Sequence, residues 1–357
     1  MSDTATVKTT SKAKAGPARS SAKARTSGQG STKITSNSKT IQAKVKEGAP
    51  RNTGSRGHMY REVFGLTDVG LVRDGNEDAM LMAEPHGLYV VADGMGGHAC
   101  GEVASAFTIE AIRAFYDSDD LLRRVKSAHR RAKAQGNPAA VDASFHGLRL
   151  RKAVESANIS VFRLAQQHEQ LRDMGTTVVG FAFIGKQLFI ANVGDSRAYR
   201  LRGGKLQQLT EDHSLLNEYI KMNLLQPDEI ENFPYKNVIV RALGLQESVG
   251  VDIFEAAVRP GDQYLLCSDG LTDLVRDNEI RVVLGGSPSA EVACQRLTDF
   301  AKERGGHDNI TTIVVRTHAG PPPAPVAFPL PPPGPAPMDA AFVPPPPPAG
   351  PAPQRKR

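Results

Sequence analysis

Short apolar runs bounded by turn-forming residues recur along the middle of the chain: Ala79–Ala83, Leu88–Ala92, Thr177–Ile184, Leu188–Val193, Ala198–Leu201, Tyr264–Cys267 and Ile310–Val315. Runs of this length, flanked by Gly, Asn and Asp, predict strands. Gly185–Lys186 and Gly203–Gly204 fall where two-residue hairpin turns would join consecutive strands into a meander. Two stretches show helical spacing instead. Val103, Phe107 and Ala111 recur every four residues, and Leu150, Val154, Ala157, Val161 and Leu164 form one stripe of a long helix. Between them Arg123–Gly136 is basic and poor in large apolar groups, which predicts a surface excursion. Antiparallel strands with a helical pair predict an α+β fold, with helices packed on sheets.

The ends of the chain carry no such pattern. Residues 1–58 are Ser, Thr, Lys, Ala and Gly with almost no large side chains. That segment cannot bury enough surface to offset about 1–2 kcal/mol per residue of backbone ordering, so a disordered arm is expected. Seventeen of the 25 prolines lie between Pro321 and Pro353, so residues 319–357 read as an extended polyproline-type tail. The foldable part is residues 59–318.

Charge follows the same division. The arm has twelve Lys/Arg against two acids, a net +10, and the tail is +2; the total of +6 leaves residues 59–318 at −6. A basic arm on an acidic body suits either an anionic partner or plain solubility. Three separated cysteines, Cys100, Cys267 and Cys294, exclude a disulfide framework and a CxxC zinc site, and a reducing, cytoplasmic setting is expected. No apolar run approaches the roughly 18 residues that span a bilayer. Cys267, flanked by leucines, reads as core packing rather than redox chemistry.

The chemistry gathers at strand ends. Leu88–Ala92 runs into Asp93–Gly94, Tyr264–Ser268 runs into Asp269–Gly270, and Asp308–Asn309 opens the last strand. Arg73, Glu77 and Asp78 precede another strand. Each Asp-Gly pair alone is a common turn. Together they place carboxylates where strands meet solvent, poised to converge at one rim. Converging carboxylates repel, and a hard divalent cation such as Mg²⁺ or Mn²⁺ relieves that repulsion.

The ordered motifs LTDVGLVRDGNEDA (Leu66–Ala79), VVADGMGGH (Val90–His98), MGTT (Met174–Thr177), VGDSRAY (Val193–Tyr199), TEDHS (Thr210–Ser214), LLCSDGL (Leu265–Leu271) and GGHDNIT (Gly305–Thr311) resemble the metal-dependent serine/threonine protein phosphatases of type 2C, in their bacterial form. The resemblance runs in family order over residues 60–317. It implies a central antiparallel β-sandwich flanked by helical layers, with a binuclear Mn²⁺ or Mg²⁺ centre at one end. By the same resemblance Asp93 bridges the two ions, Asp269 and Asp308 complete one ion's shell, and the Gly94 carbonyl binds the other. Glu77 and Asp78 hold metal-bound waters, Asp173 joins Asp269 in a third ion site, and Arg73 grips the substrate phosphate. A flap bordering the metal centre is implied between Asp212 and Arg241. Animal members have a His after the Asp-Gly; here Met95 stands there and His98 lies three residues on.

The implied reaction is hydrolysis of phosphoserine and phosphothreonine in proteins by a metal-activated water, reversing bacterial Ser/Thr kinase signalling. Phosphoproteins, such kinases among them, are the expected partners of a monomeric, soluble enzyme. Two other readings stay open at this level: a catalytically inactive scaffold recruiting partners through its tails, and a phosphodiesterase or nuclease steered by the basic arm. Asp195 could support the metal network or could satisfy its own turn.

Overall fold

A computed structural model describes residues 40–43, 59–96, 99–136, 144–226, 229–230, 233–236 and 238–321. In chain order the elements are β1 (Thr40–Ala43), β2 (Met59–Asp68), β3 (Asp78–Ala83), β4 (Leu88–Met95), α1 (Ala99–Asp117), α2 (Asp119–Ala134), α3 (Phe145–Gln167), β5 (Gly175–Thr176), β6 (Val178–Ile184), β7 (Gln187–Val193) and β8 (Arg197–Arg202). There follow β9 (Lys205–Gln208), α4 (Leu215–Lys221), β10 (Asp252–Ala257), β11 (Gln263–Cys267), α5 (Asp269–Thr272), α6 (Asp277–Gly286), α7 (Ala290–Glu303) and β12 (Ile310–Ala319). Two antiparallel sheets result, ordered β1-β2-β12-β11-β8-β9 and β10-β7-β6-β4-β3, with β5 paired to β4.

Alternation along the strands sets the layers. Tyr89, Val91, Val179, Phe181 and Phe183 of one sheet meet Tyr264, Leu266, Ile313 and Val315 of the other between the sheets. Their neighbours point the opposite way. Leu88, Val90, Ala92 and Ala182 pack on Ile112 and Phe115 of α1 and Leu150 and Val154 of α3. Leu265, Cys267 and Val314 pack on Ile280 and Leu284 of α6 and Leu297 and Ala301 of α7. Both faces of each central strand are covered, which is why these strands read as unbroken apolar runs. The expected α+β sandwich between helical layers is the fold observed.

The hairpins fall at the expected places. Ile184 pairs with Gln187 across Gly185–Lys186. Arg202 pairs with Lys205 across Gly203–Gly204, whose φ values of +56° and +76° suit the tight turn.

Other elements differ from their sequence pattern. The Arg123–Gly136 region is largely helix α2, whose buried residues are Val125 and His129 alone. That helix is specified by its ends: Ser118 Oγ accepts from the Leu121 amide, acids sit in the first turn and bases in the last. In α1 the buried face runs through Ala104, Ser105, Thr108 and Ile112, while Phe107 is exposed. Polar Ser105 and Thr108 on that face hide it from apolar counting. Sequence spacing leaves β2, β10, α6 and α7 unmarked.

Within the 1–58 segment, Thr40–Ala43 pairs with β2, Thr40 opposite Asp68 and Ala43 opposite Gly65. The rest of that arm, and the tail past residue 321, lie outside the described residues. Among the described residues no helix is long and apolar enough to cross a membrane.

One buried ion pair ties β8 to the turn before β11. Asp262 is 1% exposed and accepts from Arg202 Nε at 2.6 Å and Nη2 at 2.7 Å, from the Arg259 amide at 2.7 Å and from the Tyr264 hydroxyl at 2.9 Å. Burial alone would raise this carboxyl, but the donors outweigh it and hold it below the usual value of 3.8. Its stabilisation is therefore complete above pH 3.8, the unfolded value, and is lost as pH falls through the lower folded one. Asp262→Asn should lower stability at pH 7 by about 2 kcal/mol. Urea unfolding at a series of pH values should show the gap from wild type closing below pH 3.8; a gap independent of pH would contradict this.

Candidate metal centre

The candidate site lies at one end of the sandwich, where four strand ends meet. β3 begins and β4 finishes with Asp78 directly opposite Asp93. β11 gives way to Asp269, the first residue of α5, and β12 follows Asp308 and Asn309. Strand pairing thus delivers residues from distant parts of the chain to one rim.

Hydrogen bonds to the backbone fix that rim. Asn309 is the hub: its Nδ2 donates to the carbonyls of Val69 at 3.0 Å and Gly75 at 2.9 Å, and its Oδ1 accepts from the Glu77 amide at 2.7 Å. Ser268 Oγ donates to Asp78 Oδ2 at 2.8 Å and accepts from the Thr311 amide at 3.0 Å. The Glu77 carbonyl accepts from the Gly94 amide at 3.1 Å and from Ser105 Oγ at 2.6 Å. A side chain at Gly94 would collide with the Gly101 carbonyl, and one at Gly270 with the Asn309 carbonyl. Glycine is required at both points because backbone approaches backbone there.

The carboxylates crowd one another. Desolvation, then the charges of Asp78, Asp269 and Asp195, hold the Asp93 carboxyl well above the usual range. Asp78 is raised by desolvation, and further by Asp269 and Asp308, against the hydrogen bonds it accepts from Thr311 and Ser268. Asp269 is raised by desolvation and by Asp273 and Asp308. The interaction between Asp93 and Asp269 pushes the first carboxyl up and the second down. Asp195 is raised by desolvation and by Asp269 and Asp212, and its Oδ1 is buried with no hydrogen-bond partner. Among the described residues no three His, Cys, Asp or Glu side chains already stand together as an ion's shell. The donor set nevertheless fits hard divalent cations: it is all oxygen, negatively charged and short of donors.

The expected residues are distributed as follows. Asp78 stands directly opposite Asp93, and the Asp308 side chain lies against Gly270, the neighbour of Asp269. Glu77 sits beside them, its carboxylate against Gly101 at the start of α1. The Gly94 backbone is held between Glu77 and Thr176, opposite which it pairs. Arg73 is half exposed at the lip and its Nη2 lies 2.8 Å from Asp308 Oδ2. Asp173 is exposed with φ +65°, and its carbonyl approaches Gly96 beyond the end of β4. Met95 ends β4; His98 lies outside the described residues.

Asp195 belongs to this cluster more firmly than its Gly-Asp-Ser turn suggests. The only signal in the sequence is its place at the end of a buried strand, shared with Asp93 and Asp269. Just past the segment between Asp212 and Arg241, Leu243 borders the centre. Thr176 and Leu243 exchange both backbone hydrogen bonds, and Thr176 Oγ1 donates to the Asp93 carbonyl at 2.8 Å.

A family model described as "Protein phosphatase 2C" matches residues 73–312. The "Serine/threonine phosphatase stp" of Listeria welshimeri is 34% identical over 252 residues, 70% of this chain and 93% of that protein. The crystal structure of the Mycobacterium tuberculosis serine/threonine phosphatase PstP/Ppp superposes with TM-score 0.62 at 32% identity, covering 72% of this chain and 98% of that one. The catalytic domain of PstP in complex with two manganese ions gives TM-score 0.59 at 32% identity, covering 73% of this chain and all of that one.

If repulsion dominates this rim without cations, Asp93→Asn should raise the Tm of the metal-free protein, by the equivalent of about 1–3 kcal/mol. With saturating Mn²⁺ the order should reverse, because only the wild type gains the full stabilisation of ion binding. Thermal unfolding with and without the ion checks this; a variant less stable than wild type in both conditions would contradict it.

Proposed function

The chain belongs to the protein phosphatase 2C family and is a metal-dependent serine/threonine protein phosphatase, and from that premise we propose how its residues divide the work. Asp93 would be shared by two divalent ions, with Asp269 and Asp308 serving one and the Gly94 carbonyl the other. Glu77 and Asp78 would hold the waters that accompany the ions. Asp173 with Asp269 would offer a third position. The observation that carries this reading is the crowding of Asp78, Asp93 and Asp269, each raised by desolvation and then by neighbouring carboxylates, beside the exposed Arg73.

When bound, such ions supply Lewis acidity toward water and toward phosphate oxygens. The rest is done by the chain. Arg73 presents a planar fork that pairs two oxygens of a phosphomonoester and orients it for in-line attack. Its contact with Asp308 holds the guanidinium at the rim before substrate arrives. Ser268 and Asn309 keep Asp78 and the Glu77 backbone from moving as charge shifts. Met95 carries no transferable proton, so the leaving alkoxide takes its proton from another group.

Either Mn²⁺ or Mg²⁺ suits an all-oxygen donor set, and we take Mn²⁺ as the activating ion because a solved neighbour is a complex with two manganese ions. The substrates are proteins phosphorylated on serine or threonine, the products of Ser/Thr kinases.

Turnover of a phosphothreonine peptide should be lost in excess chelator and return with Mn²⁺. Asp269→Asn should lower kcat by about 10²-fold or more while circular dichroism shows the fold intact. Full activity in chelator, or an Asp269→Asn enzyme at wild-type rate, would overturn the assignment.

A further inference from the structure

Leu71 and Val72 are consecutive, 61% and 67% exposed, and immediately precede Arg73. A single exposed leucine needs no explanation. Two adjacent ones on a rigid support, next to the residue that would hold the phosphate, are another matter.

The support is well defined. The Gly70 amide donates to Asp68 Oδ1 at 2.9 Å, and the Leu71 amide donates to the Gly306 carbonyl at 2.7 Å. Val69 and Gly75 are both tied to the Asn309 side chain, and Arg73 is tied to Asp308. Gly70 has φ +80°, and a side chain there would collide with the Asp308 carbonyl. Residues 69–75 are therefore fastened along their length to residues 306–309, the strand lead-in that carries Asp308. The anchors fix the backbone and leave the two apolar side chains turned to water. Neither belongs to any of the packed clusters of the core.

A phosphoresidue whose phosphate meets Arg73 carries its own chain neighbours past this point. One residue of extended peptide covers about 3.3 Å, so the neighbours one or two places away reach over the positions just before Arg73. An apolar neighbour gains there by covering Leu71 and Val72, and a polar one gains nothing comparable. We propose that Leu71 and Val72 form an apolar lip that selects phosphoproteins with a large apolar side chain within two residues of the phosphoserine or phosphothreonine. This rests on Arg73 as the phosphate-holding residue.

The test uses the full chain with Mn²⁺ and two phosphothreonine peptides that differ only in the flanking residues, leucine against serine, with p-nitrophenyl phosphate as a third substrate. The wild-type kcat/KM should favour the leucine peptide by about tenfold. In the Leu71→Ser/Val72→Ser double variant the ratio should fall to within about twofold. A ratio measured within one protein is independent of how much of it is folded. A wild type indifferent to the flanks, or a double variant that keeps the preference, overturns the lip while p-nitrophenyl phosphate turnover leaves the reading of the site standing. A wild type inactive on all three substrates removes that reading, and the lip with it.

Discussion

Carboxyl groups crowded together out of water are the constraint on which this molecule is built. Asp78, Asp93 and Asp269 occupy one desolvated rim, with Asp195 and Asp308 adjoining. Left to itself such a cluster protonates or flies apart. It is kept in place by strand pairing on one side and by the side chains of Asn309 and Ser268 on the other. Asn309 and Ser268 have no chemistry of their own to perform, yet each fastens two or more segments of the rim. The instability created at the rim is offset by the sandwich beneath it, where Tyr264, Phe181 and Ile313 are fully buried between the sheets.

That division of labour explains why the acidic residues lie at the ends of the central strands. A strand covered on both faces is rigid, and the residue at its end inherits that rigidity. The same logic reaches the loop between β2 and β3. Its fastening to residues 306–309 makes Arg73 and Asp308 a single unit. The flap segment is closed on itself by the pairing of Ser214 with Ile239, and its start is tied to the end of β7 by the His213 amide, which donates to the Gly194 carbonyl at 2.9 Å.

Much of this was legible before any coordinates. Central strands announced themselves because both faces are covered, and the two hairpins because Gly203 and Gly204 permit a backbone few other residues adopt. The acids at the ends of those strands, Asp93 and Asp269, were visible for the same reason. What escaped follows a physical pattern too. β10, an edge strand half in solvent, has no apolar run to show. α2 contributes only Val125 and His129 to the interior, so its helix is written in caps and charges rather than in periodicity. The inward face of α1 is disguised by Ser105, whose hydroxyl is spent on the Glu77 carbonyl. For Asp195 the sequence leaves a turn and a place in the metal network equally open, and the structure adds that its Oδ1 is buried without a hydrogen-bond partner. The pairing of Thr40–Ala43 with β2 is a tertiary event that no local pattern encodes.

Anomalous scattering from crystals of the full chain grown with Mn²⁺ addresses the central claim most directly. Two peaks should appear at this end of the sandwich, both within coordination distance of Asp93, with Asp269 and Asp308 completing one of them and the Gly94 carbonyl the other. Crystals with no peak at this rim, or with manganese bound only at other carboxylates, would contradict the account.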